Sequence, residues 1–199
     1  MKTIFGFTLL TIVLLGCVQN SRADTIVFVG NLSGPAEATP NNSPGVGTTT
    51  VTYDSVAHTL RVQIQFSGLT GITTASHIHA ATPTPFTGAA GVATTLPTFA
   101  NFPLGVTSGT YDNTLDLTSA GSYNPAFVTA NGGIAAAEAA LIAALAEGRA
   151  YLNIHSSVFP GGEIRGFLEP VPEPASMLLL ATGLTGLVMR ARHKRRPPK

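Results

Sequence analysis

Residues 59 to 66 alternate strictly between polar and apolar side chains. The apolar positions of this run are Leu60, Val62, Ile64 and Phe66. A period of two places every apolar side chain on one face of a β-strand, so the run predicts a strand with one buried face. A second β-branched run covers residues 46 to 53. The sequence therefore predicts an antiparallel hairpin that turns at Asp54 to His58.

Short segments of the same kind recur along the chain and are separated by Gly, Pro, Asn and Thr. The further strand candidates are residues 26 to 32, 75 to 80, 91 to 95, 106 to 111, 149 to 155 and 163 to 168. Regularly spaced short strands are typical of a sandwich or barrel. We expect an all-β fold, an antiparallel Greek-key β-sandwich.

One segment departs from this pattern. Ile134 to Glu147 is rich in Ala, follows Gly132-Gly133 and ends at Gly148. Its larger apolar residues recur at helical spacing. We expect one short helix that covers an edge or an end of the sheets.

The N-terminus has the features of a secretory signal peptide. Lys2 precedes an apolar run from Ile4 to Leu15, and Ser21-Arg22-Ala23 supplies small residues for signal-peptidase cleavage before Asp24. This assigns residues 1 to 23 to the leader. The alternative is a lipobox at Leu14-Leu15-Gly16-Cys17, in which Cys17 is lipidated and becomes the first mature residue.

The C-terminus carries a second targeting segment, residues 171 to 199. Val171-Pro172-Glu173-Pro174 interrupts the chain, an uncharged run extends from Ala175 to Met189, and a basic cluster follows. The run predicts a short transmembrane helix of about 22 Å, less than the ~30 Å hydrocarbon core. Basic residues tend to stay in the cytoplasm, so residues 24 to 170 are expected on the other side of the inner membrane.

The body between these segments is acidic. Residues 24 to 170 hold three Lys or Arg against nine Asp or Glu, a net charge of −6. Nucleic-acid binding requires many cations to neutralise phosphates, so this composition excludes it. Cys17 is the one cysteine of the chain, so the body has no internal disulfide.

The C-terminal segment closely resembles the PEP-CTERM sorting signal over residues 171 to 196. The resemblance rests on Pro172-Glu173-Pro174, a short apolar run with Gly183 and Gly186, and an Arg-rich cluster. It implies processing by an exosortase-type protease, transient anchoring in the inner membrane and delivery to the envelope or cell surface. Such systems accompany exopolysaccharide production, so an exopolysaccharide or an envelope protein is an expected partner. The alternative is an ordinary C-terminal membrane anchor.

The body is similar to the CHRD domain over about residues 25 to 169. The resemblance rests on Phe28 to Gly34 with Glu37 and Pro40, on Ser76 to His79, and on Gly148 to His155 continuing into Gly161 to Gly166. It implies an exported β-sandwich, compatible with a superoxide-dismutase-like or Ig-like arrangement. It implies no agreed biochemical activity.

Three histidines fall within these motifs, namely His77, His79 and His155. Residues two apart share a face of a strand, so His77 and His79 point the same way and Ile78 points the other way. If Ile78, Leu152 and Ile154 face the core, all three imidazoles lie on the outer face, where neighbouring strands bring them to one metal ion. Imidazole suits copper or zinc. The alternative is that these are solvated or hydrogen-bonded histidines that brace loops.

The same histidines give a faint likeness to copper/zinc superoxide dismutase, together with Arg165 after a Gly-rich turn. The body lacks that family's disulfide cysteines, and His58 is the one remaining imidazole, so a second metal site lacks ligands. Glu163 and Arg165 are also two apart, and we expect them to form a structural pair on one face of a strand with Ile164 inward. The alternative is that they recognise a ligand.

The familiar catalytic motifs are absent from the sequence. It has no Gly-x-Ser-x-Gly elbow, phosphate-binding Gly-rich Lys loop, His-Glu-x-x-His or Asp-rich calcium loop. We expect a non-enzymatic binding or matrix module without a cofactor. The alternative is a copper- or zinc-dependent oxidoreductase that uses His77, His79 and His155.

Overall fold

The computed structural model describes residues 25–172 and 182–183. The described part contains eight strands: β1 Thr25–Ser33, β2 Val46–Asp54, β3 Thr59–Ser67, β4 Thr73–Ala80, β5 Gly109–Asp116, β6 Ala150–Ser156, β7 Ile164–Phe167 and β8 Glu169–Pro170. The strand order is β4-β6-β7-β1-β2-β3-β5, and β8 pairs with β1. Every pair of these strands is antiparallel. The all-β antiparallel prediction is confirmed, in the form of a half-barrel that curves around one core.

The predicted hairpin forms as β2 and β3. Residues 46–54 pair in register with residues 59–67, from Val46 opposite Ser67 to Asp54 opposite Thr59. Leu60, Val62, Ile64 and Phe66 are all buried, at most 3% exposed. Alternation therefore decided which face of this hairpin meets the core.

The described residues contain two α-helices where one was predicted. The helix α2, Ile134–Ala146, confirms the predicted segment and buries Ala137, Leu141, Ala144 and Leu145. The helix α1, Pro125–Asn131, was missed. Asn124 caps it through its side chain, Pro125 occupies the first turn and Gly132 ends it in the left-handed conformation. These signals were present in the sequence, but the helix is short and buries no residue of its own.

Two strand predictions differ from the structure. Residues 91 to 95 form no strand; Val92 and Thr94 make isolated bridges to His79 and Tyr123. The strand predicted at 106 to 111 instead covers Gly109–Asp116 as β5. The segment between β4 and β5 folds over β4 as an irregular cover, because Ala93 and Phe99 donate to backbone carbonyls of β4 and are themselves fully buried.

The targeting segments lie mostly beyond this description. The leader at 1 to 23, Glu173, Pro174 and the predicted transmembrane helix lie outside the described residues. Val171 and Pro172 are described and exposed, directly after β8. Within the described residues no single helix is long and apolar enough to cross a membrane; the pair α1 and α2, bent by 94°, meets the criterion by length and composition.

Candidate metal centre

The strands β4 and β6 bring the three predicted histidines together. They pair antiparallel with His77 opposite Asn153, His79 opposite Tyr151 and Ala75 opposite His155. Ile78, Leu152 and Ile154 are fully buried on the core face, as predicted. The histidines therefore share the other face of the sheet, where His155 is a diagonal neighbour of His77.

The three imidazoles form a compact cluster. The centroid of the His77 ring lies 5.1 Å from that of His79 and 4.8 Å from that of His155. One nitrogen from each ring can be chosen so that the three atoms lie within 4.8 Å of one another. Among the described residues, this is the group of three or more potential metal-binding side chains whose ligand atoms lie close enough to share one ion.

The cluster is buried, whereas the sequence placed all three histidines on an outer face. His77 is 5% and His79 8% exposed, and His155 is half-buried. The residues that cover them come from the 81–108 segment and from the turn between β6 and β7. Alternation assigned the face correctly, but it carried no information about the loops that fold over that face.

Backbone carbonyls contact the rings on the side that points away from the centre of the cluster. His79 Nδ1 lies 2.9 Å from the Ala90 oxygen, and His155 Nδ1 lies 2.8 Å from the Pro160 oxygen. The Pro97 carbonyl also acts on the His77 ring and opposes the lowering of its pKa. A carbonyl can only accept, so the bonds to Ala90 and Pro160 each fix a proton on the outward nitrogen and leave a lone pair on the inward one.

The inward nitrogens face one another. His77 Nδ1 lies 3.2 Å from His79 Nε2. His155 Nε2 is buried and has no hydrogen-bond partner among the described residues. Two ligand nitrogens about 2.0–2.1 Å from a tetrahedral Zn²⁺ are roughly 3.3–3.4 Å apart, close to the observed separation. The separation of the His77 and His79 nitrogens fits two ligands of one ion, and His155 supplies a third nitrogen within 4.8 Å of them.

Burial keeps the rings neutral. It lowers the pKa of His77 to about 3, and the neighbouring His155 and His79 add to this effect. It lowers the pKa of His79 to about 4 despite the opposing bond to Ala90. Burial also lowers the pKa of His155, against the bond to Pro160. Neutral imidazole is the form that ligates metals, so these shifts favour ligation at neutral pH.

An outer layer supports the cluster on the side of β6 and β7. The Tyr151 ring stacks on the His79 ring, with centroids 4.7 Å apart and planes 7° apart. On its other side the Arg165 guanidinium carbon lies 4.7 Å from the Tyr151 centroid. Arg165 donates to the carbonyls of Ala36 and Gly88 and is 5% exposed.

The predicted pair of Glu163 and Arg165 is wrong. Glu163 precedes β7, is fully buried and accepts from Ser43 Oγ, Thr70 N and Gly71 N. The carboxylate nearest to Arg165 is instead Glu37, with Nε and Oε2 4.0 Å apart. Alternation does not apply before the strand begins, and the Glu37 contact spans most of the chain, so spacing could not predict it.

Glu37 and Asn153 were missed as parts of this region. Asn153 Nδ2 donates to Glu37 Oε2 at 3.3 Å, while Glu37 Oε1 and Asn153 Oδ1 are buried and have no hydrogen-bond partner in the described part of the chain. A Cβ on Gly162 would lie 2.8 Å or less from both side chains, so this glycine permits their close approach. The one signal for Glu37 was its place in the first motif of the body.

His58 lies outside the cluster. Its Nδ1 contacts Glu138 Oε1 at 2.8 Å, and the side chain is 50% exposed. Tyr53 donates to the same Glu138 oxygen. This histidine therefore ties the β2–β3 turn to α2 and lies apart from the cluster of His77, His79 and His155.

Comparisons with known proteins support both resemblances. A family model for the CHRD domain matches residues 28–168. A model for the PEP-CTERM protein-sorting motif matches residues 170–196. No curated protein and no solved structure matches the chain.

Proposed function

The chain belongs to the CHRD domain family and carries a PEP-CTERM sorting motif, and on that premise we propose that it is a cell-surface protein that binds one copper or zinc ion through His77, His79 and His155. The sorting motif supports export to the cell envelope. The metal site is the function that the geometry of the domain supports best.

One observation carries the metal assignment. Three imidazoles present inward nitrogens to a shared point, while carbonyls occupy the outward nitrogens. Without an ion, one of the rings of His77 and His79 donates to the other at 3.2 Å, and His155 Nε2 stays buried with no hydrogen-bond partner among the described residues. An ion between the rings satisfies all three nitrogens and keeps every outward bond. Histidines that merely brace loops need no such convergence.

We propose that signal peptidase and an exosortase-type protease process the chain, and that the mature domain acts as a non-enzymatic binding or matrix module at the surface. Its partner is an exopolysaccharide or another envelope protein. The C-terminal basic cluster supports this placement, because Lys and Arg beside a membrane segment tend to stay in the cytoplasm.

A copper- or zinc-dependent oxidoreductase is the second candidate function. The observation that favours it is the half-buried position of His155, which leaves one side of the cluster nearer to solvent than His77 or His79. Such a site keeps an open coordination position for a small substrate. Superoxide turnover by the metal-loaded protein distinguishes this candidate from the binding module.

The direct test is metal analysis of the mature protein purified from cells. We expect one equivalent of copper or zinc in the wild type and loss of that metal in His77→Ala. His58→Ala is the matched control, because it removes an imidazole outside the cluster. An absence of bound metal in the wild type, at micromolar copper or zinc, would refute the assignment.

The surface location has a separate test. Cells that express the full chain or a chain lacking residues 171–199 are fractionated, and the protein is located with an antibody. We expect the full chain at the cell surface and the truncated chain in the periplasm or medium. The same distribution for both chains would contradict the role of the sorting motif.

A further inference from the structure

The charge around the cluster is positive, which bears on the ion that the centre holds. All three ligands are neutral imidazoles, and the atoms that fix their outward nitrogens are backbone carbonyls. None of the hydrogen bonds to these rings in the described part of the chain comes from a carboxylate. Metal-bound histidines in many Zn²⁺ sites instead donate to carboxylates, which raise ligand basicity and offset the charge of the ion.

The nearest full charge behind the cluster is the cation Arg165. The strands β4 and β7 flank β6, so His79 and Arg165 lie on opposite sides of Tyr151. The guanidinium is buried and therefore poorly screened by solvent. The guanidinium repels positive charge on His79 and so lowers the pKa of that ring.

Glu37 balances this cation incompletely. Its Oε2 lies 4.0 Å from Arg165 Nε, beyond hydrogen-bond distance. Burial raises the pKa of Glu37 to about 7, so part of the population is uncharged at neutral pH. The second layer therefore retains net positive charge.

From this arrangement we infer that the centre selects copper(I) over the divalent ions Cu²⁺ and Zn²⁺. The inference rests on the proposed metal site and deepens it. Three imidazole nitrogens complete the coordination of a monovalent copper ion, whereas Zn²⁺ takes a fourth ligand. A unit charge about 10 Å away at an effective dielectric of 20 changes affinity roughly tenfold for each unit of ionic charge.

The test is competition on the mature wild-type protein under anaerobic conditions. Copper(I), kept reduced with ascorbate, is competed with bicinchoninate, and Cu²⁺ and Zn²⁺ are competed with chromophoric chelators of known affinity. We expect a dissociation constant for copper(I) below those for both divalent ions. Tighter binding of Cu²⁺ or Zn²⁺ than of copper(I) overturns the selection while leaving the metal site intact. Failure of all three ions to bind refutes the metal site itself.

A charge variant tests the physical cause. Arg165→Gln removes the buried cation, and we expect Cu²⁺ to bind about tenfold more tightly relative to copper(I) than in the wild type. Arg61→Gln is the matched control, because it removes an exposed cation that pairs with Asp112 on the β3–β5 face. An unchanged ratio in Arg165→Gln contradicts the electrostatic argument.

A second variant covers the case in which Arg165→Gln does not fold. Glu37→Gln leaves Arg165 without its partial counter-charge. We therefore expect the affinity for Cu²⁺ relative to that for copper(I) to fall below the wild-type value. Circular dichroism before metal loading shows which variant retains the fold. A shift toward Cu²⁺ in Glu37→Gln overturns the inference.

Discussion

The ring of Tyr151 lies parallel to the ring of His79, and both side chains contact the backbone of Ala90. Tyr151 Oη lies 3.3 Å from the nitrogen and from the oxygen of Ala90, and that oxygen also accepts from His79 Nδ1. The stack and the shared carbonyl together fix the plane of the imidazole. The orientation of the His79 ring therefore depends on a residue that does not itself face His77 or His155.

Removing the Tyr151 hydroxyl tests this support. In Tyr151→Phe the stack remains but the bonds to Ala90 are lost, so we expect metal affinity to fall about tenfold, as is usual for residues that orient a ligand. Chelator competition measures the change. A merely structural role predicts altered unfolding with unchanged affinity. Conversely, Tyr151→Ala also removes the stack and is expected to weaken binding further.

His155 offers the cleanest separation of binding from stability. Because His155 is half-buried at the end of β6, His155→Ala removes a proposed ligand without leaving a large core cavity. We expect metal affinity to fall at least about 100-fold while the unfolding free energy of the metal-free protein changes by less than about 1 kcal/mol. Calorimetric titration and urea denaturation measure the two quantities. Retained affinity in this variant would exclude His155 as a ligand.

Glu37 gives the domain a pH-dependent stability. Its pKa is about 7 in the folded protein and near 4.5 when unfolded, because burial outweighs the attraction of Arg165. Between these values the folded state holds more protons, so stability is full below about pH 4.5 and falls as the pH rises toward 7. Glu37→Gln cannot ionise. Its advantage over wild type is expected to grow by about 3 kcal/mol from pH 4 to pH 8.

Urea denaturation at both pH values measures this difference. Glu169→Gln is the control, since Glu169 is exposed in β8. A gap between Glu37→Gln and wild type that stays constant with pH would show that Glu37 ionises as readily in the folded state as in the unfolded one.

Glu163 is a structural carboxylate that joins three separate segments. Burial alone would raise its pKa, but hydrogen bonds from Ser156, Ser43, Thr70 and Gly71 outweigh burial and lower the pKa. Its replacement by Ala leaves buried donors unpaired, so we expect a loss of about 3 kcal/mol in unfolding free energy at neutral pH. Thermal or urea denaturation provides the measurement. A loss below about 0.5 kcal/mol, as expected for exposed Glu147→Ala, would contradict this role.

Local pattern predicted the elements that depend on neighbouring residues. The period of two in residues 59 to 66 predicted the hairpin, and the helical spacing of Ile134 to Glu147 predicted α2. The same reasoning set His77 and His79 on the face opposite Ile78. It failed at residues 91 to 95. The β-branched residues there are part of the irregular segment that folds over β4, where packing against the rest of the domain takes the place of strand pairing.

The cluster itself needed information that no local pattern contains. The sequence predicted that His77 and His79 lie side by side on one strand. Their contact with His155 depends on the pairing of β4 with β6, whose paired residues are 70 or more positions apart in the sequence. The carbonyls of Ala90, Pro97 and Pro160 come from irregular segments, whose paths follow no period. Glu37 reaches Arg165 because the residue pair Ser33 and Arg165 joins β1 to β7.

By itself the sequence determined the β class of the body, the faces of its strands, its acidic charge and the motifs that bracket it, because each of these follows from the chemistry of residues close together in the chain. Tertiary structure alone decided that three imidazoles converge, that loops bury them and that a cation lies behind them. Those facts depend on strand order and loop path, which are set by the packing of the whole core.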